Sequence, residues 1–326
     1  MDQPAGVGFS YGDRSGYDHN EEEVAEDMYK FLQAFFAKHS DLQGRPFFVF
    51  GESYGGHYAP AVSHRVFVGN QDPSNIWINL AGVAIGNGLT DPLVQYEYYP
   101  QLAFNYSIEK MGHPAVSEAS YAKMRAAWPQ CQSMIAECQN NHDVCPDAED
   151  FCNNANLGPY ESTGLNPYNI ELKCGPNPLC YNFTNVNVFL NTERVQSALG
   201  VNKKWSSCND VVNAGFGKDW MRNYQTQLPD LLNNGTRVLI YAGDLDFICN
   251  WLGNQAWTLA LQWPHRADFN NARVYNWTVD GAAAGEGRTS NGFTFLRVFD
   301  AGHMVPKDQP KNAQTMLNEL LDGGFH

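Results

Sequence analysis

Residues 46–55, PFFVFGESYG, join a short apolar run to a serine that stands between two glycines. A continuously apolar run of this length is typical of a strand in a parallel sheet that is buried on both faces. The segment that follows, Tyr54–Val68, has the pattern of a helix. Where a strand passes directly into a helix, Gly51 and Gly55 permit a sharp turn that exposes the side chain between them. The stretch therefore predicts a nucleophilic Ser53, with an ordinary strand-to-helix turn as the alternative.

The rest of the chain alternates strands and helices around this turn. Glu21–His39 has one apolar stripe and acidic residues in its first turn, as expected of a helix packed against a core. The other predicted elements are buried strands at Ile78–Ile85, Arg237–Ala242 and Phe293–Phe299 and a closing helix at Ala313–Leu321. Such alternation indicates an α/β fold with a mostly parallel sheet. Residues 281–287, GAAAGEG, are expected to form no more than a flexible surface loop.

A long middle segment interrupts the alternation. Residues 91–220 contain seven of the eight cysteines, six of them between Cys131 and Cys180, and many Asn and Pro residues. Short helices are predicted within it at Val116–Trp128 and Val186–Leu199. We interpret this segment as a helical cap over the carboxyl ends of the strands. The core would then consist of residues 1–90 and 221–326.

Two late strands end in residues that complete a serine-based catalytic set. A nucleophilic serine needs a general base and an acid that orients the base, and α/β-hydrolases supply them in the order Ser, acid, His. Asp244 and Asp246 follow the strand at 237–242, and either could be the acid. His303 follows the last strand, although a single histidine there could equally be an ordinary loop residue. The order of all three residues predicts an α/β-hydrolase with Ser53 as nucleophile and His303 as base.

The composition restricts the compartment and the partners of the chain. A formal net charge of −14 with only 21 Lys and Arg residues leads us to expect no nucleic-acid partner. No apolar run approaches the roughly 18–20 residues that span a bilayer, so we expect no membrane insertion. Cysteines and sequons together indicate the secretory route. The predicted glycosylation sites are Asn105, Asn182, Asn234 and Asn276.

The cysteine spacing favours disulfide bonds over a metal site. Cys131, Cys138, Cys145 and Cys152 recur every seven residues, and His142 is the one histidine close to them. Zinc ligands usually come in pairs about two to four residues apart. Disulfide bonds also agree with the secretory route. We therefore expect no metal and no cofactor.

Five blocks of the sequence are similar to serine carboxypeptidases, including vacuolar members from fungi. The blocks are DQPAGVGFSY at 2–11, GESYGGHYAP at 51–60, GNGLTDP at 86–92, YAGDLDFICNW at 241–251 and GHMVP at 302–306. The resemblance extends over essentially the whole chain. It implies that the triad acid is Asp246, that the Tyr54 N–H is an oxyanion donor, and that Glu52 recognises the carboxylate of a substrate C-terminus.

The resemblance also implies the reaction. A member of this family removes C-terminal amino acids from peptides with a free C-terminus, through an acyl-enzyme and without a cofactor. Acidic pH is expected because the Glu52 carboxyl group lies at hydrogen-bonding distance from the substrate's terminal carboxyl group. Two carboxyl groups so close together are not both ionised, so one of them keeps a proton. We expect a monomer in the vacuole, with the extracellular space as second choice. The alternatives are an acyltransferase that uses the same acyl-enzyme and a catalytically impaired or non-catalytic homologue.

Pocket residues and disulfide pairs are further implications of the resemblance. The apolar substrate pockets would be lined by Leu89, Tyr96, Tyr99, Leu157, Tyr168, Tyr181, Trp220, Cys249 and Met304. The bridges would be Cys131–Cys152, Cys138–Cys145 and Cys174–Cys180, and Cys249 would remain a free thiol beside the active site. Cys208 matches a cysteine whose partner belongs to a segment ahead of Met1.

The same resemblance predicts sequence in front of Met1. In the family, the first strands and a Gly-rich loop that supplies a second oxyanion N–H precede this position. Without them, hydrophobic sheet edge would be exposed, and loss of one oxyanion donor typically costs about 10²–10³ in rate. We therefore expect the first strands to be absent and the chain as written to fold poorly and to show little activity.

Overall fold

The computed structural model describes residues 1–325, except for the side chain of Pro178. Within this part of the chain, the strands are β1 (Phe47–Glu52), β2 (Leu80–Gly86), β3 (Leu165–Asn166), β4 (Asn169–Lys173), β5 (Arg237–Gly243), β6 (Tyr275–Val279), β7 (Ala282–Ser290) and β8 (Phe293–Val298). The helices are α1 (Glu21–Lys38), α2 (Gly55–Gly69), α3 (Pro92–Gln95), α4 (Tyr99–Gln101), α5 (Ser107–Met111), α6 (Glu118–Cys138), α7 (Cys145–Glu161), α8 (Thr184–Leu190), α9 (Glu193–Leu199), α10 (Asp210–Gly215), α11 (Leu228–Asn233), α12 (Trp251–Ala260), α13 (Arg266–Asn271), α14 (Val305–Asp308) and α15 (Pro310–Asp322).

The central sheet has the mostly parallel arrangement that the sequence predicts. Its six strands lie in the order β1-β2-β5-β8-β7-β6. The first four are parallel to one another, and β7 and β6 are antiparallel to their neighbours. β1 is an edge strand, and its Phe50 is 46% exposed. Because the parallel strands end on one side of the sheet, the loops that carry Ser53, Asp246 and His303 all begin there.

The expectation of a flexible loop at 281–287 is wrong. Residues 282–287 lie in β7, which pairs with both β6 and β8, and Gly281 lies in the turn before it with a φ of +80°. The small side chains permit close packing: a Cβ on Gly285 would lie 2.3 Å from the Arg297 carbonyl oxygen, and one on Gly287 would lie 2.4 Å from the Tyr275 ring. The glycines therefore serve the contact between strands, and their abundance does not indicate mobility.

Helices cover both faces of the sheet and form two separate cores. On one face, α2, α11 and α12 pack Ala59, Leu231 and Trp257 against β2, β5 and β8. On the other face, α15 packs Met316 and Leu320 against β5 and β8. None of the helices in the described chain is both long and apolar enough to cross a membrane.

Residues between β2 and β5 form the helical segment that we interpret as a cap. Disulfide bonds join Cys131 to Cys152 and Cys138 to Cys145, and both bonds link α6 with α7. A third bond joins Cys174 to Cys180. These are the pairs that the resemblance implies. Val186–Leu199 forms two helices, α8 and α9, where one was predicted, because the Thr192 side chain caps a new helix by accepting from the Val195 N–H. The domain boundaries at 91 and 220 stay a prediction.

Candidate active site

Ser53 lies on a strained turn between β1 and α2. Its φ is +62°, a left-handed conformation that is uncommon for a residue with a side chain. The turn is held because the Ser53 N–H donates to the Gly86 carbonyl at 3.1 Å and its carbonyl accepts from the Leu89 N–H at 3.0 Å. A Cβ on Gly51 would lie 2.5 Å from the Gly55 carbonyl oxygen, and one on Gly56 would lie 2.4 Å from that of Leu89. The backbone at Gly51 and Gly56 therefore lies too close to these carbonyl groups for any residue with a side chain.

Gly55, the second glycine of the sequence motif, has a different environment. A Cβ added to it would meet no atom within 4 Å among the described residues, and its φ is not in the left-handed region. The expectation that Gly55 enables the turn is therefore wrong. The required glycine is the next residue, whose approach to the loop after β2 cannot be seen in the local sequence.

The structure brings His303 and Asp246 together. His303 Nδ1 lies 2.8 Å from Asp246 Oδ2, and both residues are buried. Asp246 also accepts hydrogen bonds from the Asn87 amide at 2.9 Å and from the backbone N–H groups of Ile248 and Cys249 at 3.2 Å each. Burial disfavours the charged form of His303, but the Asp246 carboxylate, with help from Glu52, outweighs burial and raises the His303 pKa above its ordinary value.

Asp244, the other candidate acid, lies in a separate ion network. It accepts from Lys110 Nζ at 2.8 Å, from Arg297 at 3.2 Å and from the Tyr106 hydroxyl at 3.0 Å. It also accepts from the Asp300 N–H at 2.9 Å and so joins the loop after β5 to the loop after β8. The structure thus places Asp246, and not Asp244, in contact with the histidine. Asn87, which the sequence reasoning did not single out, completes the surroundings of Asp246.

Glu52 is a half-buried carboxyl group next to Ser53. Burial raises its pKa, and the nearby Asp246 and Asp308 carboxylates raise it further, while His303 acts in the opposite direction. Glu52 is the last residue of β1, so it lies at the same end of the parallel strands as Asp246 and His303. A carboxyl group with a raised pKa can donate a hydrogen bond at mildly acidic pH, which is what binding of a second carboxylate requires.

A small cavity of about 120 Å³ opens beside Ser53. Of the predicted pocket residues, it is lined by Leu89, Tyr96, Tyr99, Leu157, Tyr168, Trp220 and Cys249. Tyr181 and Met304 do not line it, although the Tyr181 ring lies 5.2 Å from that of Tyr168. The Tyr168 ring lies 5.1 Å from the His303 ring, so one wall of the cavity contacts the candidate base.

The sequence reasoning missed two lining residues, Asn153 and Ile248. The Tyr96 hydroxyl donates to Asn153 Oδ1 at 2.8 Å, and the Tyr99 hydroxyl donates to the Ile248 carbonyl at 2.6 Å. Asn153 lies one helical turn before Leu157 on α7, so helical spacing was the available signal. Ile248 is adjacent to Cys249 in sequence. Both polar contacts hold the tyrosine rings that form the cavity wall.

Asp246, Cys249 and His303 could in principle hold a metal ion, since their ligand atoms lie within 4.8 Å of one another. Burial, and then the Asp246 charge, raises the pKa of the Cys249 thiol well above its usual value, so the thiol keeps its proton. A thiolate is the form that binds metal. The three side chains are therefore better suited to a hydrogen-bonded catalytic arrangement than to a metal centre.

Comparison with known proteins gives the same family over nearly the whole chain. The serine carboxypeptidase family model matches residues 1–323. The chain is 43% identical over 332 residues to carboxypeptidase Y of Komagataella phaffii and 42% identical over 337 residues to carboxypeptidase Y of Saccharomyces cerevisiae, each match covering 100% of this chain and 62% of the relative. Serine carboxypeptidase-like 47 of Arabidopsis thaliana is 41% identical over 327 residues, which is 99% of this chain and 63% of that protein. The chain thus spans about three fifths of the length of these relatives.

A solved structure confirms the fold. The prohormone-processing carboxypeptidase of Saccharomyces cerevisiae superposes with a TM-score of 0.83 at 24% identity, over 98% of this chain and 73% of that structure. The predicted resemblance and the α/β-hydrolase architecture are thereby confirmed. By the family match and by its relatives, this chain belongs to the serine carboxypeptidases.

Proposed function

We propose that the chain hydrolyses the last peptide bond of peptides with a free C-terminus. The observation that carries this proposal is the 2.8 Å hydrogen bond between His303 Nδ1 and Asp246. It orients the imidazole and leaves Nε2 as the nitrogen that takes a proton, which is the role of the base in a serine-based triad. Ser53, on its strained turn at the same side of the sheet, is the nucleophile.

The reaction follows the acyl-enzyme route. Ser53 Oγ attacks the last carbonyl carbon while His303 Nε2 removes the hydroxyl proton, and the Tyr54 N–H stabilises the oxyanion. His303 then returns the proton to the amine, and the C-terminal amino acid leaves. Water attacks the acyl carbon with His303 again as base, which releases the shortened peptide and restores Ser53. Asp246 stabilises the imidazolium in both steps.

Glu52 accounts for a preference for C-terminal residues. As a protonated carboxylic acid it donates a hydrogen bond to the terminal carboxylate of the substrate. The raised Glu52 pKa supports this role at mildly acidic pH. The cavity of about 120 Å³ with aromatic and aliphatic walls suits an apolar side chain next to the scissile bond.

We further propose an acidic compartment of the secretory pathway, with the vacuole as first choice and the extracellular space as second. Burial raises the pKa of Asp18 to about 6, that of Asp91 to about 6 and that of Glu149 to about 7. These groups are neutral at the pH of such a compartment. The four sequon asparagines Asn105, Asn182, Asn234 and Asn276 are exposed, so each is accessible to a glycan. Occupancy of these sites and a monomeric state belong to the same proposal.

Peptide digestion with a matched serine variant tests the proposed function. The protein is incubated at pH 5 with a blocked dipeptide, and the products are identified by mass spectrometry. Release of the C-terminal amino acid, with labelling of Ser53 by a fluorophosphonate and loss of both in Ser53→Ala, is the expected result. A glucose ester in a parallel reaction tests acyl transfer. Transfer without hydrolysis would favour the acyltransferase, and absence of labelling would favour a non-catalytic homologue.

A further inference from the structure

Asp219 is a fully buried carboxyl group that contacts Tyr54, the residue after Ser53. The Tyr54 hydroxyl donates to its Oδ2 at 2.9 Å, and the Tyr224 hydroxyl donates to its Oδ1 at 2.6 Å. Arg222 Nη1 donates to Oδ1 at 2.9 Å, and the Glu21 N–H approaches the same oxygen at 3.4 Å. Four donors converge on this group, which is the arrangement that a buried carboxylate requires.

The charges around Asp219 are balanced. Arg222 supplies the opposite charge and also pairs with the exposed Glu22. The Glu21 carboxyl is fully buried and has no hydrogen-bond partner in the described part of the chain. Burial, followed by the charge of Asp219, raises the Glu21 pKa well above its usual value, so Glu21 is neutral. Arg222 is therefore shared between Asp219 and Glu22, and Asp219 is the acid that binds Tyr54.

Three aromatic rings pack against the ring of Tyr54. Its ring stacks on His57 at 4.6 Å between centroids and on Trp220 at 4.8 Å, with interplanar angles of 21° and 23°. The Phe216 ring contacts it edge-on at 5.8 Å. With its hydroxyl bound to Asp219 and three aromatic rings packed against it, the Tyr54 side chain is held in place. Because Tyr54 directly follows Ser53 on a tight turn, fixing its side chain also fixes the peptide plane of its N–H.

The Tyr54 N–H points to no acceptor within residues 1–325. It is therefore available to a developing oxyanion, as the proposed mechanism requires. Trp220 follows Asp219 directly and stacks on Tyr54 while it lines the cavity beside Ser53. His57 Nδ1 lies 2.6 Å from the carbonyl oxygen of Leu89, another cavity residue. The buried residues that hold Tyr54, which carries the proposed oxyanion donor, therefore also contact or form the wall of the cavity.

From this geometry we infer that Asp219 is a positioning residue, which fixes the positions of Tyr54 and Trp220 relative to Ser53. The inference rests on the proposed function for its catalytic consequence. Asp219 does not contact the reacting atoms. It acts by keeping the Tyr54 N–H aligned with the oxyanion and by keeping Trp220 against the cavity. Small displacements of such a donor cost up to about 100-fold in rate.

Three variants of the full chain test this role. Asp219→Asn weakens all four contacts, and Tyr54→Phe removes only the Tyr54 hydroxyl while Arg222 and Tyr224 continue to bind Asp219. Tyr224→Phe is the matched control, since it removes the other tyrosine hydroxyl from the same carboxylate. We expect kcat to fall about 10- to 100-fold in the first two variants, with a smaller loss in the control. KM for a substrate with a large apolar side chain next to the scissile bond should rise in Asp219→Asn.

A second readout does not depend on turnover. With ¹⁵N-labelled tyrosine, the Tyr54 amide resonance should shift in Asp219→Asn and remain close to its original position in Tyr224→Phe. Trp220→Phe identifies the Trp220 contribution to tryptophan emission, and this contribution should change in Asp219→Asn. An unchanged Tyr54 resonance in folded Asp219→Asn would overturn the inference, and so would equal losses of kcat in Tyr54→Phe and Tyr224→Phe. If Asp219→Asn does not fold, Tyr54→Phe and its control decide the question.

The two proposals fail in different ways. Absence of hydrolysis and of Ser53 labelling in the parent chain would overturn the proposed function and leave the resonance and emission measurements to decide the role of Asp219. Normal hydrolysis with unchanged Tyr54 resonances would overturn the positioning role alone.

Discussion

Asn87 Nδ2 donates a 2.9 Å hydrogen bond to Oδ2 of Asp246, the oxygen that also binds His303. Asn87 Oδ1 accepts from the Gly243 N–H at 3.0 Å, and the Asn87 N–H donates to the Tyr241 carbonyl at 2.8 Å. One buried side chain therefore joins the ends of β2 and β5 and orients the carboxylate. The φ of Asn87 is +40°, so its backbone is held in a conformation that costs energy in isolation.

Replacing Asn87 by Ala should lower kcat by about 10- to 100-fold, because the Asp246 carboxylate loses a donor and can rotate relative to His303. The Gly243 N–H loses its acceptor, which costs about 1–3 kcal/mol of stability. Asn70→Ala is the matched control, since Asn70 also bonds a backbone N–H and carbonyl, those of Ile78, far from the site. Equal kcat values in the two variants, measured with a blocked dipeptide, would contradict the role of Asn87.

Glu52→Gln should flatten the pH dependence of substrate binding. The Glu52 pKa is raised by burial, so the wild-type carboxyl group donates to a substrate carboxylate at acidic pH and loses this ability as the pH rises through its pKa. A glutamine amide donates at every pH. KM should therefore rise with pH in the wild type and change little in the variant. A variant whose KM follows the same pH curve as the wild type would refute the assignment.

The protein should be more stable at pH 5 than at pH 8. Glu149 has a pKa of about 7 in the folded state against an ordinary 4.5. A raised folded-state pKa contributes stability that is complete below the ordinary value and is lost as the pH rises through about 7. Asp18 and Asp91 act in the same direction, and His57, whose pKa is lowered by burial, acts in the opposite one.

Thermal melting of Glu149→Gln checks this prediction. The decrease in Tm between pH 5 and pH 8 should be smaller in the variant than in the wild type, because the variant lacks the titrating group. Glu137→Gln, which changes an exposed glutamate on α6, serves as the control and should behave like the wild type. An identical decrease in all three proteins would show that Glu149 does not contribute.

Removal of the outer disulfide bond should destabilise the protein more than removal of the inner one. Cys131–Cys152 closes a loop of 21 residues and Cys138–Cys145 one of 7 residues. The chain-entropy model assigns about 3 kcal/mol to the longer loop and about 2.5 kcal/mol to the shorter one. Urea unfolding of the two Cys-to-Ser pairs measures the difference. The reverse order would show that native-state contacts, and not loop closure, dominate at these bonds.

The parallel core could be predicted from the sequence because its strands are buried on both faces and therefore appear as continuous apolar runs. Strands β6 and β7 could not be predicted in this way. β7 consists largely of Ala, Gly and polar residues. Positions 285 and 287 are glycines because a neighbouring strand leaves no room for a side chain there. Local sequence does not distinguish a glycine required by a tertiary contact from one in a flexible loop.

The proximity of the candidate catalytic residues was predictable for a similar reason. Ser53, Asp246 and His303 each follow a predicted strand, and parallel strands end on the same side of the sheet. Asp219 and Asn153 lie in the segment between β2 and β5, outside the central sheet, where no sheet strand determines their position. Their contacts with Tyr54 and Tyr96 are made across 165 and 57 residues of chain, respectively. Only the folded arrangement of this segment identifies such residues.

The stack of Trp220 on Tyr54 limits which changes of the cavity would leave the Ser53 turn undisturbed. Leu157 and Asn153, both on α7, also line the cavity, but neither is stacked on Tyr54 as Trp220 is. Exchanges there should change which side chain is accepted and leave the chemical step intact. Trp220 lines the cavity and also stacks on Tyr54, so a smaller residue at this position would both enlarge the cavity and loosen Tyr54, the proposed oxyanion donor. Substitutions at the α7 residues should therefore change the selectivity of the cavity at a smaller cost in activity than substitutions at Trp220.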